Sequence, residues 1–211
     1  GGIDSAVVAV LCKLASNDRT WALILPCHNQ RKDLEDAKLI SRKFKIKTKL
    51  IELSHIYNGF LRILPEADKI IQGNLKARLR MLILYYFANK YNLLVAGTGN
   101  KSEITMGYFT KFGDGACDLL PIGDLLKTEV RQLAQDLNIP QDIINKTPSA
   151  GLWQGQTDEA ELGISYSDLD DILERLENKK KQIISKNKVN KVKAKIRQTE
   201  HKRQGPKIFK I

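Results

Sequence analysis

Apolar positions along the chain switch between a helical and a strand period. Residues 5–15 set Ala6, Val7, Val10, Leu11 and Leu14 on one side, the spacing of a helix with a single buried face. Residues 21–27 form an apolar run that predicts a buried strand, and residues 31–44 a charged amphipathic helix. Across 46–53 the chain alternates, with Ile46, Thr48 and Leu50 against Lys45, Lys47 and Lys49; this is the period of a half-exposed strand. Residues 75–89 predict a helix with a wide apolar face, and 93–97 a short strand opening into a glycine-rich loop. Further predicted helices cover 124–137 and 168–176, and Pro140 and Pro148 flank a linking segment between them. The lysine-rich remainder is predicted helical to about Gln198, with the turn signal Gly205-Pro206 after it.

Strands that alternate with helices pair in parallel and are covered on both faces. The expected fold is therefore α/β, a doubly wound, mostly parallel sheet with helices on both faces. Ligands of such sheets bind at the carboxyl ends of the strands, which brings the loop at 1–5 beside the loop at 97–121. The 211 residues suit one domain, divided into a core over 1–177 and a basic segment over 178–211.

Charge changes this picture only at the C-terminal end. From residue 178 onward 13 Lys and Arg face the single acid Glu200, and since the total is +11, residues 1–177 sum to −1. Such a segment can attract nucleic acid, an anionic lipid surface or a phosphate-bearing substrate, or be a solvated helix face. No apolar run approaches the ~20 residues of a membrane span, and no secretory signal pattern is present. Cys12, Cys27 and Cys117 lack metal-ligand spacing and read as reduced core thiols of a cytoplasmic protein.

The first five residues, Gly1-Gly2-Ile3-Asp4-Ser5, run straight into an apolar helix. Two glycines before a helix start let phosphate oxygens approach free backbone N–H groups, and the helix dipole favours an anion there. Ser5 adds a hydroxyl, whereas Asp4 repels phosphate and calls for a divalent cation between them. A plain helix cap by Asp or Ser reads the same pentapeptide as well. A second constellation follows the 93–97 strand: Gly97-Thr98-Gly99-Asn100-Lys101-Ser102-Glu103, then a glycine-rich stretch to Asp118 and Pro121. Long ordered loops of this kind are more often functional than structural, and Glu103, read as lying at a strand end, is the second carboxylate a cation needs. The ordinary alternatives are a surface pair of Glu103 with Lys111, a solvated basic face of Lys76, Arg78 and Arg80, and a surface lysine at Lys127. Asp118 could equally cap a turn and His201 sit exposed. His28 and His55 read as structural, and Trp153 as an anchor for a lid.

The opening segment resembles the SGGxDS loop of the ATP pyrophosphatases, which split ATP into AMP and pyrophosphate. The leading Ser of that pattern and the strand before it are absent, so the chain is expected to be shortened and its sheet to lack the first strand. Five separated strings resemble the ammonia-dependent NAD synthetase family: GNLKARLRM at 73–81, GTGNKSE at 97–103, FTKFGDGACDLLP at 109–121, KTPSAGLWQGQTDEAELG at 146–163 and EHKR at 200–203. The resemblance implies an adenine nucleotide α-hydrolase-like fold that is a single NAD synthetase domain over 1–211, with the nucleotide-binding core at 1–177. It implies that Asp4 and Glu103 hold Mg²⁺ and that Gly1, Gly2, Ser5, Thr98, Lys127 and Ser149 contact ATP. Arg78, Lys111, Asp118, His201 and Lys202 are implied as contacts to deamido-NAD, in a homodimer with substrate sites near the subunit interface. Ser149 is often Thr in that family, and either offers a hydroxyl.

The implied reaction adenylates the nicotinate carboxylate of deamido-NAD and passes it to ammonia, giving NAD, AMP and pyrophosphate. It needs no protein nucleophile, and the sequence offers no Ser-His-Asp or Cys-His set. Another enzyme of the same loop class, GMP synthetase-like or tRNA-thiolating, is the alternative, and a non-catalytic nucleotide-binding fragment a third reading. Against a nucleic-acid partner, the tail's lysines are not interleaved with aromatic residues and no zinc-type cysteine pair is present.

Overall fold

The computed structural model describes residues 1–180 and 183–209. Of the lysine run expected to be helical, Lys181 therefore lies outside the described residues. The elements, in order, are α1 Ile3–Ser16, a 3₁₀ turn Asn17–Arg19, β1 Trp21–Ile24, α2 Arg31–Lys43 and β2 Lys47–Leu50. There follow α3 Ser54–Ile63, α4 Lys69–Tyr91, α5 Lys101–Met106, α6 Lys127–Asp136 and α7 Gln141–Ile144. The last are α8 Asp158–Leu162, α9 Tyr166–Glu177, α10 Lys186–Gln198 and α11 Glu200–Arg203.

The fold is a helix-rich α/β arrangement with a small parallel sheet. β1 and β2 pair in parallel from Trp21 opposite Lys47 to Ile24 opposite Leu50. The pairing runs on as Ile51 N–H donates to Ile24 O at 2.9 Å and Leu53 N–H to Pro26 O at 2.8 Å. Of the expected doubly wound sheet, the described residues form these two strands and one isolated parallel bridge, Ala96 to Leu119. Apolar character marked 93–97 as a strand, but a ladder needs a neighbour, and only Asp118 and Leu119 supply one, donating to Val95 O.

Three clusters make the core. Ile3, Ala6, Val7 and Val10 of α1 pack on Ile122 and on Val130 and Ala134 of α6. Met106 of α5 packs with Leu169, Ile172 and Leu173 of α9 and Val189 and Val192 of α10. Cys27, Leu53, Tyr57 and Leu79 join α3 to α4. The lysine-rich helix is thus amphipathic, its two valines seated in the second cluster.

Among the described residues five helices, α3, α5, α7, α8 and α11, lie where none was expected, and one starts early. α3 occupies a stretch read as connecting chain, and α4 begins at Lys69 because Asp68 caps it, accepting from Ile70 N at 2.8 Å and Ile71 N at 2.9 Å. α5 corrects the placement of Glu103, which sits in a helical first turn and not at a strand end. No described helix is long and apolar enough to cross a membrane.

Candidate functional site

α1 begins without a side-chain cap: Gly2 is its N-cap residue, and no side chain bonds to the first turn. Its N–H groups therefore face the cleft beside Asp4. Asn100 and Glu103 form a reciprocal capping box at the start of α5, with Glu103 N–H donating to Asn100 Oδ1 at 3.0 Å. The Asn100 side chain is fully buried and donates from Nδ2 to Asp4 Oδ1 at 2.9 Å. Lys127, the first residue of α6, closes the arrangement. Its Nζ lies 2.5 Å from Asp4 Oδ2 and 3.2 Å from Glu103 Oε1, above the ring of Tyr166 at 4.9 Å.

Lys127 is 1% exposed, so the reading of it as a surface lysine fails. Its backbone is braced as well. Lys127 N–H donates to Ser102 Oγ at 3.0 Å, while Ser102 Oγ–H and Thr128 N–H donate to Asp170 at 2.5 and 2.8 Å. Burial alone would lower the Lys127 pKa, and the charges of Asp4 and Glu103 outweigh it, leaving the ammonium firmly protonated. Glu103 is pushed up to about 7, first by burial and then by the Asp4 charge. Two half-buried carboxylates sharing one lysine form a donor set short of positive charge, and hard oxygen donors of this kind fit Mg²⁺. Among the described residues no group of three or more His, Cys, Asp and Glu could hold a metal. A cation at Asp4 and Glu103 would complete its shell from substrate phosphates and water, as Mg²⁺ ordinarily does.

This triangle opens on a cleft of about 1720 Å³ lined among others by Gly1, Gly2, Ser5, Thr98, Ser149 and Lys202. Of the residues expected at ATP, Gly1, Gly2, Ser5, Thr98 and Ser149 line this space, and Lys127 lies buried behind Asp4 and Glu103. The 146–157 loop, which carries Ser149, is tied down at three points. Lys146 Nζ donates to Asp33 at 2.7 Å, Asp36 at 2.6 Å and Gly1 O at 3.1 Å. Lys76 Nζ donates to Leu152 O at 2.7 Å, and Asn29 Nδ2 to Gly151 O at 3.2 Å. Trp153 packs on α4 so closely that a Cβ at Gly73 would come within 3.1 Å of its ring.

The residues expected at deamido-NAD divide. Arg78 donates to Lys111 O at 3.3 Å, Lys111 Nζ donates to His201 O, and Lys202 Nζ donates to Gly107 O and Phe109 O at 2.8 and 2.7 Å. These four are stitched together around the 107–115 loop. Asp118 stands apart, accepting from Val95 N–H at 2.7 Å and Tyr85 O–H at 3.3 Å. Lys202 lines the large cleft, whereas Arg78 lines a smaller hollow of about 370 Å³ with Leu61, Leu64 and Ile71.

Reading the sequence missed Asn100, Lys146, Asp158 and Tyr166, and set aside Lys76 and Arg80 as a solvated face. Lys76 is buried, and Arg80 donates to Leu25 O at 3.1 Å and Asn29 Oδ1 at 2.9 Å. Asn100 had a legible signal, since Asn followed three residues later by Glu is a cap signature. The others had none beyond lying inside or beside the quoted strings.

A bare helix N-terminus opposite a carboxylate pair, at the mouth of a parallel α/β cleft, is the architecture of a nucleotide-binding protein that handles a polyphosphate. The chain belongs to the NAD synthase family, which matches residues 1–206. It is 48% identical over 214 residues to the NH(3)-dependent NAD(+) synthetase of Archaeoglobus fulgidus, covering 100% of this chain and 86% of that one. With the enzyme of the same description from Methanocaldococcus jannaschii it shares 51% over 219 residues, covering 98% and 85%. Among solved structures, the NMN synthetase of Francisella tularensis superposes with a TM-score of 0.91 at 41% identity, covering 100% and 86%. The NH3-dependent NAD synthetase of Campylobacter jejuni, in complex with nitrate, does so with 0.87 at 33%, again covering 100% and 86%. The family leaves no support for a GMP synthetase-like or tRNA-thiolating reading.

Proposed function

We infer that the chain is an ammonia-dependent ligase that makes NAD from deamido-NAD, consuming ATP to AMP and pyrophosphate. The observation that carries this is the Lys127–Asp4–Glu103 triangle at the bare start of α1, which suits a triphosphate with a divalent cation. ATP lies against Gly1, Gly2, Ser5, Thr98, Lys127 and Ser149 in this reading, with its adenosine towards β1. Deamido-NAD is held by Arg78, Lys111, His201 and Lys202, and by Asp118 from the strand edge. Asp4 and Glu103 would hold Mg²⁺, which when bound offsets the charge of the triphosphate and of departing pyrophosphate.

The chain's own part is positioning. The nicotinate carboxylate attacks the α-phosphorus, pyrophosphate leaves, and an acyl-adenylate remains. Ammonia then attacks the acyl carbon, AMP departs with its bonding electrons, and the nitrogen releases a proton to solvent to leave the amide. Backbone N–H groups of the α1 start and Lys127 stabilise the phosphate charge, and no side chain is required as nucleophile.

The same reading takes in a homodimer in the cytoplasm and a sheet doubly wound in the adenine nucleotide α-hydrolase manner. In support of the dimer, Ile63, Ile70, Ile71, Leu82 and Tyr86 of α3 and α4 and their connection are exposed large apolar residues, and the hollow containing Arg78 adjoins them. The likeness to an NMN synthetase makes nicotinate mononucleotide the competing acceptor. The deciding assay follows AMP and pyrophosphate with deamido-NAD or nicotinate mononucleotide, and with ammonium or glutamine. Turnover with deamido-NAD and ammonium is expected, with an ammonium requirement that falls as rising pH supplies more NH₃. Turnover only with the mononucleotide, or equal use of glutamine, would overturn the assignment.

A further inference from the structure

Around Glu103 there are more carboxylates than protons to share. The Tyr166 hydroxyl lies 3.3 Å from Glu103 Oε1 and 3.1 Å from Asp158 Oδ2. A phenol carries one hydrogen and can serve only one of the two at a time. Both separations exceed the ~2.7–2.8 Å of a committed O–H···O bond, so the hydroxyl is shared between them. Asp158 is buried as deeply as Tyr166, at 4% and 2% exposed. Its other oxygen lies 3.0 Å from the Tyr108 hydroxyl, which is closer still to Glu161 Oε2 at 2.5 Å, and its backbone N–H donates to Pro148 O at 3.0 Å. Pro148 immediately precedes Ser149. An unbroken path therefore runs from Glu103 through Tyr166 and Asp158 to the backbone of the 146–157 loop.

We propose that Tyr166 is a positioning residue that couples the Asp4–Glu103 pair to this loop. Without a cation its hydroxyl is shared between Glu103 and Asp158. With positive charge added at the pair, the hydroxyl is released to Asp158, which then holds Pro148, and Ser149 beside it, more firmly. The proposal rests on Asp4 and Glu103 being the cation ligands. It involves only reorientation of one O–H bond, with no proton or electron lost from the site.

Tyr166→Phe tests it by removing the hydroxyl and keeping the ring under Lys127. Binding of Mg²⁺ is measured calorimetrically in the presence of a non-hydrolysable ATP analogue, so no turnover is involved. Tryptic cleavage after Lys146 then reports the loop, with far-UV dichroism and the thermal midpoint as checks of folding. The expected result is Mg²⁺ binding weakened roughly tenfold, the low end for loss of an outer-sphere partner, together with loss of the loop protection that Mg²⁺ and the analogue confer on the unaltered protein. Glu103→Gln serves as the control for the underlying reading. If Glu103→Gln weakens Mg²⁺ binding and Tyr166→Phe alters neither readout, the coupling is overturned alone. If neither variant affects Mg²⁺ binding, the cation assignment falls and the coupling with it. Asp158→Asn, which changes a different residue at constant size, must also lose the protection, and its retention overturns the proposal whatever Tyr166→Phe does.

Discussion

At the scale of single residues, Asp4 and Glu103 make the sharpest claims. Asp4→Asn keeps size and the bond from Asn100 but removes a hard anionic ligand. In protein that makes NAD under the assay above, kcat/KM should fall roughly a hundredfold or more, since even an outer-sphere partner of a metal costs about 10–100-fold. Near-normal turnover would remove Asp4 from the site. Glu103 adds a pH dependence of defined sign. Its carboxyl, pushed up to about 7, is protonated on the acid side and must lose that proton before it can bind a cation. The apparent Mg²⁺ affinity should therefore fall about tenfold per unit as pH drops below about 7, and level off above it. Calorimetric titrations at several pH values check this; a flat profile would contradict the ligand role. Lys202 spans two carbonyls of the 107–115 loop. Lys202→Ala should cost about 1.5–3 kcal/mol of deamido-NAD recognition, roughly ten- to hundredfold in kcat/KM, with the KM for ATP little changed. Alanine at Lys179 and Lys180, both exposed, should leave both substrates' kinetics alone when compared at one ionic strength.

At the scale of elements, the short helix α5 shows how a cap becomes a site. Asn100 both starts the helix and steadies Asp4 across 96 residues of sequence. Asn100→Ala removes both bonds and leaves a void, so a loss of about 1–3 kcal/mol in unfolding free energy is expected, measured by denaturant titration. This element also marks the limit of what was legible. The cap spacing of Asn100 and Glu103 was present in the sequence, yet glycines on either side suggested a loop, and the helix is only six residues long. Helices with a clean apolar period, α1 and α2, were found at nearly their true bounds, because burial of one face fixes them. α3 was overlooked although Ile56, Phe60 and Ile63 follow a helical spacing; that stripe is exposed, and Tyr57 is the residue of α3 that is buried. Lys146 and Tyr166 could not be assigned at all: a lysine tied to two aspartates and a phenol between two carboxylates are created by folding, not by local spacing.

On the scale of the whole molecule, the apolar surface of α3 and α4 is where the proposed dimer can be tested. If a second copy covers it, Ile70→Glu with Ile71→Glu should convert dimer to monomer in sedimentation velocity and weaken deamido-NAD binding more than ATP binding. A chain already monomeric at micromolar concentration would exclude that arrangement. The C-terminal helices have a different importance. Gly107 turns through a positive φ of 63° against Thr199, where a Cβ would come within 2.4 Å of the threonine side chain. Lys202 grips the same turn from 95 residues further along. The 107–115 loop is thus shaped by contacts that close over more than ninety residues of chain, and loop closure of that span makes it one of the slower parts of the fold to form.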